Sequence, residues 1–196
     1  MTTPPGADDS AAGLGQDHGM DVLTSREIYS NQWITVREDI IRRPDGEQAI
    51  YALIEKSDFA IIVPQDGDRF HLVEQFRHPL RQRCWEFPGG SVADKSLDPA
   101  EVARQELREE TGLRAERLTY LGRVAPAPAT STHYGHIYLA TGLTEGPHER
   151  EPSEQDMRAA WFSRAELESM ITEGVVADAQ TVAAYGLLLL HERDNR

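Results

Sequence analysis

The chain has 196 residues, a length that predicts one or two domains and allows a sizeable core. Asp and Glu number 33 and Lys and Arg number 20, which gives a formal charge of −13. This acidic balance argues against binding to nucleic acid or to an anionic membrane, because both need a basic face. A phosphate compound can still bind if a metal ion or local arginines neutralise it.

The cysteine count and the length of the apolar runs exclude two further classes of protein, disulfide-rich proteins and proteins with a membrane-spanning helix. Cys84 is the single cysteine, so an intramolecular disulfide framework is excluded. No apolar run reaches about 18 residues, so the sequence predicts no membrane-spanning helix. The N-terminus has neither the basic nor the apolar segment of a secretory signal, and we expect a cytoplasmic protein.

The first 56 residues predict a tail followed by strands. Residues 1–22 are rich in Gly, Pro and Asp, a composition that cannot bury enough apolar area to offset its ordering entropy, and we expect a disordered tail. From about Ser25 the pattern is strand-like, and Pro44-Asp45-Gly46 has the composition of a turn. An N-terminal β-hairpin extension therefore opens a single domain that we predict over 23–196.

Strands and helices are interspersed in the rest of the chain. Helices are predicted over 99–111, 163–173 and 178–192. Strand candidates lie at 59–63, 70–76, 118–124, 136–143 and 159–162. Because the order is not a strict β-α-β alternation, the pattern favours a mixed sheet flanked by helices.

The helix over 99–111 has clear boundaries. Asp98 is a good N-cap and Pro99 suits the first helical turn. Gly112 stands where a residue with left-handed backbone ends a helix.

Three carboxylates cluster on this helix. Glu106 and Glu110 are one turn apart, and Glu109 lies beside them, at the border between the predicted core stripe and solvent. Like charges at this spacing near a helix C-terminus are destabilising. A hard cation such as Mg²⁺ reverses that penalty. The same pattern also fits a solvated acidic helix face.

The segment 106–113, Glu-Leu-Arg-Glu-Glu-Thr-Gly-Leu, matches the second half of the Nudix box position for position. The chain therefore resembles the Nudix hydrolases. The resemblance implies an α/β/α sandwich with a mixed β-sheet. It also implies hydrolysis of a nucleoside diphosphate linked to another moiety, with Mg²⁺ or Mn²⁺ as cofactor.

The resemblance also implies roles for the residues that match. Glu106 and Glu110 are the expected principal metal ligands, and Glu109 is a further ligand or a catalytic residue that orients water. The carbonyl of Gly89 is a further candidate ligand, and Gly90 is expected at the substrate.

The first half of the box departs from the family pattern. Gln105 stands at the arginine position, with Arg104 adjacent, and Leu97 stands at the first glutamate position. Gln105 can donate a hydrogen bond but carries no charge. Three interpretations stay open: an active site with a different brace, an altered or slow site, and a site that binds without hydrolysis.

More of the chain resembles the ADP-ribose and ADP-sugar pyrophosphatase branch. The segments are Val-Glu-Gln-Phe-Arg at 73–77 and Trp-Glu-Phe-Pro-Gly-Gly at 85–90. The branch implies that Arg77 binds substrate phosphate or ribose and that Glu86 lies near the metal or nucleotide. A surface arginine and a structural ion pair are the alternatives for these two residues.

Two loops complete the predicted site. The acidic loop over 145–156 corresponds to one that supplies a catalytic base in this branch, with Glu154 the first candidate and Glu151 the second. A solvated acidic loop is the alternative. In the loop over 125–136, which departs from the branch, His133 and Tyr134 are candidates to contact a base or the terminal moiety.

The function predicted from the sequence is hydrolysis of the pyrophosphate bond of a nucleoside diphosphate sugar, ADP-ribose or a related ADP-sugar. The alternatives are a nucleoside triphosphate or dinucleotide pyrophosphatase and a catalytically weak nucleotide-binding module. The branch also implies a homodimer in which the N-terminal strands pair across a two-fold axis.

Overall fold

The computed structural model describes residues 20–92, 97–150 and 154–195. The chain forms two compact units, one that ends at Ile54 and one that begins at Glu55. Within the described ranges, no helix is long and apolar enough to cross a membrane.

The N-terminal unit is a three-stranded sheet in the order β1-β2-β3. Its strands are β1 (Asp21–Ser30), β2 (Thr35–Arg42) and β3 (Gln48–Glu55). Strands β2 and β3 form the predicted hairpin. Strand β1 pairs with β2 in addition, and it begins at Asp21, inside the stretch 1–22 that was predicted as a tail. Every side chain of β1 is exposed, and the strand is held by antiparallel backbone pairing with β2. Because the strand buries no side chain, its sequence has no apolar pattern from which its start could be predicted. The rest of the predicted tail, over 1–19, lies outside the described residues.

The second unit is built on a seven-stranded mixed sheet. The main order is β10-β5-β4-β9-β8, with β6 paired to β5 and β7 paired to β4. Strands β4 and β9 are parallel, whereas β10 with β5, β4 with β5, β4 with β7, β5 with β6 and β8 with β9 are antiparallel. The strands are β4 (Phe59–Asp66), β5 (Arg69–Arg77), β6 (Gln82–Glu86), β7 (Gly89–Ser91), β8 (Leu113–Val124), β9 (Gly135–Glu145) and β10 (Arg158–Ser163).

The three predicted helices are confirmed. They are α1 (Pro99–Glu106), which continues as a π-helical turn over Leu107–Thr111, α2 (Arg164–Thr172) and α3 (Ala179–Asp194). Serine and aspartate side chains cap the second and third helices, where Ser163 accepts from the Glu166 N–H and Asp178 from the Thr181 N–H. The wide turn at the end of α1 is of a kind often found at functional sites.

Alternation along the central strands builds a core on each face of the sheet. On β4, Ile61 and Val63 pack on one face and Ala60 and Ile62 on the other. The first face is covered by α2 and α3, through Leu167, Ala184 and Leu188. The second face is covered by α1, through Val102, Ala103 and Leu107. The predicted α/β/α sandwich is therefore confirmed.

Candidate active site

The start of helix α1 and the end of the π-helical turn that continues it lie where the sequence predicts. The Asp98 carboxylate accepts a hydrogen bond from the Ala100 N–H at 2.9 Å, and Pro99 occupies the first turn. The π-helical turn ends at Gly112, whose φ of 75° lies in the left-handed region that glycine adopts without strain. Buried Leu107 anchors this end of the helix to the sheet.

Strand β7 lies against the helix and covers Glu110. This side chain is only 1% exposed, and its Oε2 accepts a hydrogen bond from the Gly89 N–H at 3.0 Å. Burial raises the pKa of Glu110 well above its ordinary value, and the negative charges of Glu106 and Glu154 raise it further. The border position predicted for this glutamate is therefore wrong, because periodicity along the helix does not reveal that a neighbouring strand covers it.

Glu106 and Gly90 are in close approach. A Cβ placed on residue 90 would lie 1.9 Å from Glu106 Oε1, so only glycine leaves room for this carboxylate. The Gly-Gly pair therefore serves both glutamates, one residue through its N–H and the other through its missing side chain.

Glu109 has a different environment from the other two glutamates. Its Oε1 accepts a hydrogen bond from Gln105 Nε2 at 2.9 Å, and the Arg108 guanidinium lies 3.9 Å away. Gln105 thus contacts a glutamate of the helix although it lacks the charge of the arginine that the family pattern has at this position.

The acidic loop supplies Glu154 to the same region. Its charge is among those that raise the pKa of Glu110, which indicates that the two carboxylates lie near each other. The Glu149 N–H donates to the Glu109 carbonyl at 3.1 Å, so this loop is attached to the end of the helix. Glu151, the second candidate base, lies outside the described residues.

A cleft of about 590 Å³ opens beside this cluster. Five of the predicted site residues line it: Arg77, Glu86, Gly89, Gly90 and His133. Sequence reasoning missed further polar side chains in its wall, among them Lys56, Asp178 and Gln180.

Arg77 and Glu86 form a two-point ion pair in this cleft. Arg77 Nε donates to Glu86 Oε1 at 2.8 Å, and Nη2 donates to Oε2. Glu86 is buried, whereas the Arg77 side chain is about half exposed. The hydrogen bonds to Glu86 raise the pKa of Arg77, and the charges of Asp178 and Glu110 act in the same direction. Arg77 is therefore a cation that Glu86 fixes in the cleft, close to Glu110.

His133 and Tyr134 do not share one environment. The His133 ring packs on Phe59 with centroids 5.5 Å apart, and its Nδ1 is 2.6 Å from Ser131 Oγ. Tyr134 lies outside the residues that line the cleft, and its ring contacts the Arg123 guanidinium at 4.6 Å.

The donor set suits a hard divalent cation. Within residues 20–92, 97–150 and 154–195, no three His, Cys, Asp or Glu side chains are gathered closely enough to hold a metal ion as they stand. Buried Glu110 nevertheless faces the charges of Glu106 and Glu154, an arrangement that a cation stabilises. Carboxylate and carbonyl oxygens are the ligands that Mg²⁺ and Mn²⁺ prefer. The residues present therefore fit the metal that the resemblance implies.

The fold and the site together define a class: an α/β/α sandwich in which a helix of glutamates faces a Gly-Gly strand beside a cleft. A family model described as the NUDIX domain matches residues 55–185. The chain belongs to this family. A second model, the nucleoside diphosphate sugar hydrolase N-terminal domain, matches residues 20–54. The two matches meet where the structure divides the chain into its compact units.

Curated relatives match over most of their length. The ADP-ribose pyrophosphatase of Mycobacterium tuberculosis is 30% identical over 177 residues, which are 89% of this chain and 84% of that protein. A CMP-5'-(N-acetyl-N-hydroxy-3-aminopropyl)phosphonate hydrolase of Streptomyces rubellomurinus is 31% identical over 83% of this chain and 78% of that protein.

A solved structure described as an ADP compounds hydrolase superposes with a TM-score of 0.80, at 19% identity. The match covers 90% of this chain and 96% of that one. At this identity the likeness confirms the fold alone.

Proposed function

We propose that this protein hydrolyses the pyrophosphate bond of a nucleoside diphosphate sugar, ADP-ribose or a related ADP-sugar, with Mg²⁺ or Mn²⁺. The products are a nucleoside monophosphate and a sugar phosphate. The observation that carries the proposal is the convergence of buried Glu110 and Glu106 on the Gly89-Gly90 strand, at the edge of a cleft that also holds Arg77.

Each group has a proposed task. Glu106, Glu110, Glu109 and the Gly89 carbonyl would hold the metal, which supplies charge neutralisation for the phosphates and the leaving group. Arg77 binds a substrate phosphate or the ribose, since Glu86 fixes its guanidinium in the cleft.

Glu154 is proposed as the base. A water oxygen bonds to one phosphorus while the bridging P–O bond breaks, and Glu154 accepts the proton that water loses. The bridging oxygen leaves with the other phosphate. The negative charges of Glu154 and Glu106 oppose the ionisation of Glu110. A bound cation would neutralise this cluster of carboxylates before the reaction.

The names of the relatives favour an ADP-sugar, although they differ both in the nucleotide and in the group attached to it. One relative is named for ADP-ribose and another for a CMP phosphonate. We therefore propose the ADP-sugar class first.

The experiment is product identification with Mg²⁺ and then Mn²⁺. The substrates are ADP-ribose, other ADP- and GDP-sugars, CMP conjugates, dinucleoside polyphosphates and dNTPs. AMP with ribose 5-phosphate from ADP-ribose supports the proposal. Inorganic pyrophosphate from a triphosphate, or metal-dependent binding without any product, would contradict it.

We also propose a homodimer formed through the N-terminal sheet. This sheet and the turn between its first two strands expose large apolar side chains, among them Val22, Ile28, Tyr29, Trp33 and Ile50. Sedimentation should give twice the chain mass, and Ile50→Glu should lower it to that of one chain. An unchanged mass in the variant would contradict this interface.

A further inference from the structure

Arg150 joins the end of the glutamate helix to the segment that follows Glu154. Its Nε donates to the Glu110 carbonyl at 3.1 Å, and its Nη1 donates to the Met157 carbonyl. Its own carbonyl accepts from Gln155 Nε2 at 3.0 Å. Because both guanidinium acceptors are main-chain oxygens, the bonds fix the course of the chain itself.

The segment 154–157 has further contacts that do not involve Arg150. The Met157 N–H donates to the Glu154 carbonyl at 2.9 Å, which forms a tight turn, and the Met157 side chain is buried. From β6, Arg83 donates to Asp156 Oδ2 at 2.8 Å and to the Asp156 carbonyl at 2.9 Å. Glu154 therefore lies in a turn that Arg150 and Arg83 bind to the rest of the second unit.

The surroundings of Arg150 set it apart from a surface arginine. Its charge lies close enough to buried His71 to lower the pKa of that imidazole, for which burial is the larger cause. In the described parts of the chain, His71 Nδ1 has no hydrogen-bond partner. The Arg150 guanidinium thus donates to the two main-chain carbonyls and not to this ring nitrogen.

We propose that Arg150 is a positioning residue, which fixes the Glu154 carboxylate relative to Glu106 and Glu110 by bridging the Glu110 and Met157 carbonyls. This inference rests on the proposed function, in which Glu154 is the base. Arg150 acts through Glu154 and touches no reacting atom.

A double-mutant cycle tests the coupling. Arg150→Met should lower kcat about 10- to 100-fold, because a misplaced base loses most of its effect, and should change KM less than about threefold. Arg150→Lys, which can reach one carbonyl at a time, should be intermediate. In Arg150→Met/Glu154→Gln, kcat should equal that of Glu154→Gln alone.

The matched control is Arg158→Met, which removes an exposed arginine from the start of β10 and should leave kcat unchanged. If Arg150→Met and Glu154→Gln lower kcat multiplicatively, Arg150 does not act through Glu154 and the proposal is wrong. The same conclusion follows if Arg150→Met raises KM as much as it lowers kcat.

A second measurement needs neither metal nor substrate. Amide hydrogen exchange of Met157 in the metal-free protein should be about tenfold faster in Arg150→Met and unchanged in Arg158→Met. Unchanged exchange in Arg150→Met would overturn the proposal. If wild type turns over but Glu154→Gln keeps full kcat, the Arg150 proposal fails while the hydrolase proposal stands. If wild type yields no product, the hydrolase proposal fails, and the exchange result still decides whether Arg150 fixes the turn.

Discussion

The carboxylate of Glu106 lies in the space that a side chain on residue 90 would occupy, 1.9 Å from the position of a Cβ. The atoms in the way belong to the flexible end of a side chain, so Gly90→Ala should displace Glu106 and leave the fold intact. We predict a loss of about 100-fold in kcat/KM with little change in Tm.

Gly186→Ala is the control for this variant. Nothing lies within 4 Å of a Cβ at Gly186, on α3, so alanine should slightly stabilise the helix and leave activity unchanged. Full activity in Gly90→Ala would show that the position of Glu106 is unimportant.

Gln105 offers a graded test of the brace on Glu109. Gln105→Ala removes the 2.9 Å hydrogen bond and should lower kcat about threefold to tenfold. Gln105→Arg should retain activity, since it restores a donor with charge, and Gln105→Glu should lose more than alanine, because it adds a like charge one turn away. Equal rates in all three variants would contradict a role for this hydrogen bond.

Arg77→Lys tests substrate binding. Lysine keeps the positive charge but not the planar pair of donors to Glu86, so the cation is less well fixed in the cleft. KM for the diphosphate substrate should rise about tenfold with a smaller effect on kcat. Arg69→Lys, in an exposed ion pair with Asp66, is the matched control, and a KM that is equally affected there would argue against the assignment.

Buried His71 predicts a pH dependence of stability. Burial, with a contribution from the Arg150 charge, lowers its pKa from 6.5 to about 4. Between these pH values the imidazole binds a proton in the unfolded chain but not in the folded protein. The free energy of unfolding therefore falls as the pH falls from 6.5 towards 4. The loss from this group is at most about 3 kcal/mol.

The measurement is urea unfolding between pH 4 and 7 for wild type, His71→Leu and His78→Leu. The quantity compared is the slope of the free energy of unfolding against pH. The difference in this slope between wild type and His71→Leu reports the contribution of His71. His78→Leu, at an exposed position, is the control for loss of a histidine. A slope in His71→Leu equal to that of wild type would contradict burial of a neutral imidazole.

Local signals in the sequence predicted helix α1 well. Asp98, Pro99 and Gly112 each act through their own backbone or through a neighbour in sequence, so their effect is independent of the rest of the chain. The continuous apolar run at the start of β4, over 59–63, likewise predicted a strand, because a strand buried on both faces is apolar throughout.

Contacts between distant segments were not predictable in the same way. The burial of Glu110 depends on strand β7, 21 residues earlier, and the Arg150 bridge depends on a loop 40 residues later. Strand β1 was placed too late in the sequence because it is held by backbone pairing and buries no side chain. The resemblance to the family indicated which glutamates matter, but their surroundings come from the fold.

The most direct test of the account is the rate of ADP-ribose hydrolysis with Mg²⁺ by wild type, Glu110→Gln and Glu101→Gln. Gln at position 110 can still accept the Gly89 hydrogen bond, so the fold should persist while the carboxylate is lost. Glu101 is an exposed carboxylate on the same helix. We predict turnover by wild type and Glu101→Gln and a loss of at least about 100-fold in Glu110→Gln. Near-wild-type turnover in Glu110→Gln would contradict the account.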